Sequence, residues 1–166
     1  MITISNTTEI PEIIQATQKA NELLKSPAFF DAIRAHASFD MANVSPAVVA
    51  TLMGEATVTM IIEMYFSRNR RVFGYDDPAH PEIIHINQNR NEFNVPALVN
   101  TMLHETVHAV DDLNPEASFG HGDNSSAGKE NTAPYWIGSL AERMAGGQSD
   151  QITLQIHEGS PEAFNV

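Results

Sequence analysis

The chain has 166 residues, 42% of them hydrophobic, which is enough for one domain with a buried core and argues against wholesale disorder. Its formal net charge of −12, from 21 acidic and 9 basic residues, excludes a nucleic-acid binder that relies on clustered Lys and Arg. The absence of cysteine excludes disulfides, thiolate metal sites and cysteine nucleophiles, so His, Asp or Glu would have to hold any metal ion.

No stretch approaches the roughly 18 uninterrupted apolar residues that are needed to cross a bilayer. The N-terminal residues show no basic segment followed by an apolar run, so no secretory signal is visible. We therefore predict a soluble protein without membrane association, either cytoplasmic or exported without a classical signal peptide. We expect one domain over residues 1–166.

The first half of the chain is predicted to be mainly helical. Apolar residues at helical spacing predict helices over 9–25 and 28–37, and Ser45-Pro46 opens a third helix. The run over 57–66 is rich in β-branched and aromatic residues, which predicts a strand.

The second half alternates strands and helices. In chain order the pattern predicts a turn-rich connector near 74–81, a strand over 82–87, a helix from about 94 to 113, a Gly/Ser/Asn-rich loop over 118–134, a helix over 134–145 and a strand over 151–156. With no internal repeat, this order predicts an α+β fold of N-terminal helices and a small sheet.

The motif His104-Glu105-x-x-His108 lies within the first helix of this second half. At 100° per residue the two histidines are about 40° apart and one turn from each other, so both imidazoles can converge on one zinc ion. Glu105 points somewhat away, which suits a base acting on a water at the metal. The alternative without a functional role is a surface helix with two solvated histidines. The apolar residues expected to pack into the core from the opposite arc are Leu98, Val99, Met102, Leu103, Val110 and Leu113.

A zinc site needs a third protein ligand and an open fourth position. The loop 120–123 offers His121 and Asp123 with glycines beside them, and Glu142 lies on the following helix. The general preference of zinc for imidazole favours His121.

His104-Glu105-x-x-His108, with a flanking helix and an edge strand, resembles the active site of the zincin clan of zinc peptidases. This resemblance implies a zincin-like fold with an active-site helix, Zn²⁺ as cofactor and endopeptidase activity. Asp111 and Asn114 stand where the metzincin branch has Gly and His, so that branch is excluded.

Two other branches suggest different third ligands. Gly120-His121-Gly122-Asp123 resembles the glycine-led loop of the aspzincins (deuterolysins and lysine-specific metalloendopeptidases), which implies Asp123. The continuation after His108 resembles the thermolysin type, which implies Glu142. Together, these arguments rank Asp123 and His121 nearly level and ahead of Glu142.

We expect Glu105 to be the general base in hydrolysis of a peptide or protein substrate, with Tyr135 or His121 as donor to the developing oxyanion. The alternative for Tyr135 is a core residue of the last helix. The strand over 82–87 is expected to pair with the extended substrate. The rival functions are a catalytically inactive zinc-binding interaction module or effector domain, and an acidic interaction protein without metal.

Overall fold

A computed structural model describes residues 1–68, 74–75, 80–89, 93–121 and 128–146, which form five helices and one small sheet. In chain order the elements are β1 (Thr3–Asn6), α1 (Pro11–Leu23), α2 (Pro27–Arg34), α3 (Pro46–Glu55), β2 (Thr59–Tyr65), β3 (Gly74–Tyr75), β4 (Ile83–Asn87), α4 (Val95–Asp112) and α5 (Ala133–Met144). The predicted α+β class is confirmed for these residues. The strand predicted over 151–156 lies outside them.

All five predicted helices are present, with small differences at their ends. Each has a proline in its first turn, where proline already has the required φ and its missing N–H leaves no bond unmade. Two helices also have a side-chain cap: Ser45 Oγ accepts from the Val48 N–H, and Asn94 Oδ1 accepts from the Ala97 N–H at 3.3 Å. Local sequence therefore determines where these helices begin.

The sheet has the strand order β1-β2-β4-β3. β1, β2 and β4 are parallel, and the short β3 runs antiparallel to β4. Along β2 the burial alternates, so that Met60 and Ile62 are buried while Thr59, Ile61 and Glu63 are exposed. One face of the sheet therefore covers the core, and the strands predicted over 57–66 and 82–87 are confirmed as β2 and β4.

β1 and β3 are absent from the sequence-based prediction, because four and two residues are too few to show a period. The outer edge of β1 is covered by a side chain. Asn21 Oδ1 accepts from the Ile4 N–H at 2.9 Å, and Asn21 Nδ2 donates to the Ile4 carbonyl oxygen at 2.8 Å. The Asn21 amide thus takes the place of a neighbouring strand at this position.

β4 is an interior strand, which corrects the expectation that the strand over 82–87 pairs with substrate. It pairs with β2 along its length, and β3 pairs with it on the other side at His85 and Ile86. An extended peptide could reach those two residues only by displacing β3, so the expected strand addition is wrong there.

α4 is the central helix and packs against α5 and α1. Every residue from 97 to 107 is buried, so this helix has no solvent-facing side over three turns. The predicted core arc is confirmed except at Leu113, which is 52% exposed because it lies at the end of the helix. The alternative of a surface helix with two solvated histidines is contradicted, since His104 is fully buried. Within the described part of the chain, no helix is long and apolar enough to cross a membrane.

α5 approaches α4 closely at Gly138. A Cβ at this position would meet the side-chain oxygen of Asn100 and lie 3.1 Å from the Asn100 backbone oxygen. We expect Gly138→Ala to lower the free energy of unfolding by about 1–3 kcal/mol, because the added methyl overpacks the helix crossing. Urea denaturation measures this change.

The matched control is Gly54→Ala on α3, where a Cβ would meet nothing within 4 Å. Alanine there should raise the free energy of unfolding by up to about 1 kcal/mol, since it restricts the unfolded chain. Equal effects of the two substitutions would contradict the close crossing.

Candidate metal centre

Three histidine side chains meet between α4 and the loop that follows it. His121 Nε2 lies 3.0 Å from His108 Nε2 and 3.3 Å from His104 Nε2. One ligand atom from each of the three residues lies within 4.8 Å of the other two. Among the described residues, this group could hold a metal ion, and the prediction of a metal site at the His104–His108 pair is supported to that extent.

The close approach of the three ring nitrogens is suited to a cation. In the ring plane, an imidazole nitrogen carries either one proton or one lone pair. His121 Nε2 therefore cannot donate to one neighbour and accept from the other at the same time, whereas one metal ion would accept all three lone pairs. Zinc–nitrogen bonds of about 2.0–2.1 Å at tetrahedral angles place ligand nitrogens about 3.3 Å apart. The separations of His121 Nε2 from His108 Nε2 and His104 Nε2 are close to that value.

The cluster lies mostly inside the protein. His104 is fully buried, His121 is 4% exposed, and His108 is half-buried. Helix α4 supplies two of the side chains from consecutive turns, and its buried neighbours hold its backbone in place. The site therefore has a rigid support on one side and a loop residue, His121, on the other.

Glu105 is 2% exposed and follows His104 on α4. The group of ligand atoms does not include its carboxylate. Its role as general base remains a prediction.

The three candidates for the third ligand have separate outcomes. His121 lies in the cluster. Glu142 is buried between α5 and α4, where its Oε2 accepts from Asn100 Nδ2 at 2.7 Å, and it is not part of the histidine group. Asp123 lies outside the described residues, so its ranking beside His121 remains a prediction.

Tyr135 lies against the cluster. Its ring centroid is 4.6 Å from that of His104, nearly perpendicular to it, and 4.9 Å from that of His121. The side chain is buried at the start of α5. Tyr135 therefore lines the site. Its expected hydrogen-bond donation to the substrate remains a prediction.

The residues before His121 are held by a carboxylate from α4. Asp111 Oδ1 accepts from the Phe119 N–H at 2.8 Å, and Oδ2 accepts from the Gly120 N–H at 3.0 Å. Burial raises the pKa of the Asp111 carboxyl above its ordinary value, although both backbone donors act in the opposite direction. Asp111 therefore joins the end of the helix to the loop.

The N-terminal half of the chain also contacts the segment before His121. The Asn43 N–H donates to the Ser118 carbonyl oxygen at 2.8 Å, and Asn43 Oδ1 accepts from the Ser118 N–H at 2.8 Å. After the loop, Asn131 Nδ2 donates to Asp40 Oδ1 at 3.0 Å. Sequence reasoning missed these supporting residues, because a single Asn far from the motif carries no local signal.

Comparison of the chain with protein-family models, curated proteins and solved structures gave no match.

Proposed function

We propose that this chain is a zinc-dependent endopeptidase of the zincin type, with His104, His108 and His121 as the zinc ligands. The observation that supports this most directly is the convergence of the three ring nitrogens at 3.0 and 3.3 Å. Imidazole suits several divalent metals. Zinc is favoured here because two of the histidines are four residues apart on a helix with a glutamate between them.

When bound, zinc supplies a Lewis acid that lowers the pKa of water and polarises a carbonyl group. Glu105 then takes the proton of the attacking water and passes it to the leaving amine. Its burial, at 2% exposure, limits competing hydrogen bonds from bulk solvent. With His121 as a ligand, Tyr135 is the remaining candidate for the donor to the oxyanion, because its ring contacts both buried histidines.

A second candidate function is a catalytically inactive zinc-binding interaction module. The observation that favours it is the burial of His104 and His121, since structural zinc sites are closed whereas catalytic sites keep an open position. In such a module Glu105 has no substrate to act on.

Metal analysis combined with a peptide-cleavage assay separates these functions. We expect the purified protein to bind one zinc ion per chain and to cleave members of a quenched-fluorescence peptide library. A chelator should abolish cleavage, and added zinc should restore it. The library should include peptides with Lys or Arg near the cut, because the net charge of −12 attracts basic substrates.

The other possible results of the metal analysis and the cleavage assay favour different functions. Bound zinc without cleavage of any peptide would overturn the peptidase proposal and favour the interaction module. A protein that binds no zinc would overturn both and leave an acidic interaction protein.

A further inference from the structure

We infer that Asp111 is a positioning residue that holds His121 in place for metal binding. This inference depends on the proposed metal site but not on peptidase activity. It is drawn from the hydrogen bonds of the segment that leads into His121. Asp111 itself is not among the candidate ligands of the histidine group.

Three consecutive backbone N–H groups before His121 donate to side-chain oxygens. Ser118 donates to Asn43 Oδ1 at 2.8 Å, and Phe119 and Gly120 donate to the two oxygens of Asp111 at 2.8 and 3.0 Å. Backbone donors in a loop are more often paired with backbone or water. Here side chains determine the path of the chain directly up to His121.

Asp111 joins this segment to the helix that carries the other two histidines. It lies three residues after His108 on α4, so its carboxylate and the His108 ring are on neighbouring turns of one rigid element. Because both carboxylate oxygens are used, the loop can neither slide nor rotate relative to α4 without losing a charge-assisted bond. The separation of His121 from His108 is thereby limited.

Gly120 permits this close approach. A Cβ at Gly120 would lie 2.8 Å from Asp111 Oδ2 and 3.6 Å from His108 Nδ1. A side chain there would push the loop away from the carboxylate, whereas its distance to the His108 ring is that of an ordinary van der Waals contact. Phe119 anchors the segment in the hydrophobic core, where its side chain is fully buried.

Without the carboxylate, His121 would have to be ordered by the metal itself, which reduces the affinity for metal. Loss of a group that orients a metal ligand typically costs 10–100-fold in affinity. We expect Asp111→Asn to weaken zinc binding by about 10–100-fold, because the amide offers one acceptor oxygen where the carboxylate offers two.

The test measures zinc dissociation constants at one fixed pH by competition with a chromogenic chelator. Glu116→Gln, which removes the same charge from an exposed side chain nearby, is the control and should leave the dissociation constant unchanged. The absorption spectrum of the Co²⁺-loaded protein gives a second readout, since it reports ligand geometry. Asp111→Asn should change that spectrum, and Glu116→Gln should not.

A double-mutant cycle with His121→Ala separates positioning from general destabilisation. In the His121→Ala background, Asp111→Asn should have no further effect on zinc affinity. Equal losses in both backgrounds, or no loss in either, would overturn the inference. If Asp111→Asn does not fold, Gly120→Ala perturbs the same contact from the loop side and should give the same pattern.

Zinc binding and peptide cleavage by the wild-type protein, compared with zinc binding by the variants, distinguish the two proposals. Zinc binding that is insensitive to Asp111→Asn and Gly120→Ala would overturn this inference alone. A wild-type protein that binds no zinc would overturn the inference together with the proposed function. Zinc binding without peptide cleavage would overturn the peptidase and leave the role of Asp111 intact.

Discussion

Replacing His121 with alanine is expected to weaken zinc binding by more than about 100-fold, because a direct ligand matters more than a group that only orients one. The reason lies in the geometry: His121 Nε2 is the nitrogen that approaches both of the others, at 3.0 and 3.3 Å. Its removal leaves a two-imidazole site on α4. Competition titration of zinc, with elemental analysis of the dialysed protein, measures the loss.

The matched variants for this experiment are Asp123→Ala and Glu142→Ala. Glu142→Ala should keep zinc and reduce stability, because the buried Asn100 amide loses its acceptor at 2.7 Å. Asp123→Ala should also keep zinc if His121 is the third ligand. Loss of zinc from the Asp123→Ala protein, with retention in the His121→Ala protein, would show that the assignment of the third ligand is wrong.

Glu105→Gln is expected to reduce peptide hydrolysis by about 10²- to 10⁴-fold while leaving zinc bound, because an amide of the same shape cannot accept the proton. Retention of zinc is expected since the carboxylate of Glu105 lies outside the group of ligand atoms. The rate of cleavage of a library-selected peptide, together with zinc content, tests both parts of this prediction.

Glu142→Gln is the matched control for Glu105→Gln, since it also neutralises a buried glutamate near α4. Glutamine there keeps a carbonyl oxygen for Asn100, so activity and zinc content should stay close to those of the wild type. A Glu105→Gln protein with bound zinc and full activity would contradict the proposed mechanism. Equal losses in the two variants would indicate a general effect of removing buried charge.

The burial of the histidine cluster affects both metal binding and the access of substrate. Taking imidazoles out of water costs free energy unless their ring nitrogens are paired, and a bound cation would pair one nitrogen of each ring. The same burial restricts the route by which substrate would arrive, and His108 is the only half-buried member of the cluster. If zinc is bound but no peptide is cleaved, this restricted access is the physical reason that favours the interaction module.

The sequence alone was sufficient to predict the features that depend only on residues close together in the chain. Helical periodicity, with start signals such as Ser45-Pro46, predicted the five helices, and β-branched residues predicted β2. The spacing of His104 and His108 already required both side chains to lie on consecutive turns of one helix. These features follow from backbone geometry over a few residues, so no distant contact is needed to establish them.

The tertiary structure decided every feature that joins distant parts of the chain. It placed β1 beside β2 and β3 beside β4, so that the strand expected at an edge lies inside the sheet. It brought His121 to the helix histidines, and it joined Asn43 and Asp111 to the segment before His121. These contacts depend on how helices, strands and loops that are distant in sequence pack together. The pattern of side chains along the chain carries little information about that packing. The motif on α4 was therefore predicted from its spacing, and the sequence named His121 as one of three candidates for the third ligand. Only the folded chain shows His121 beside the helix histidines and Asp111 bonded to the segment before it.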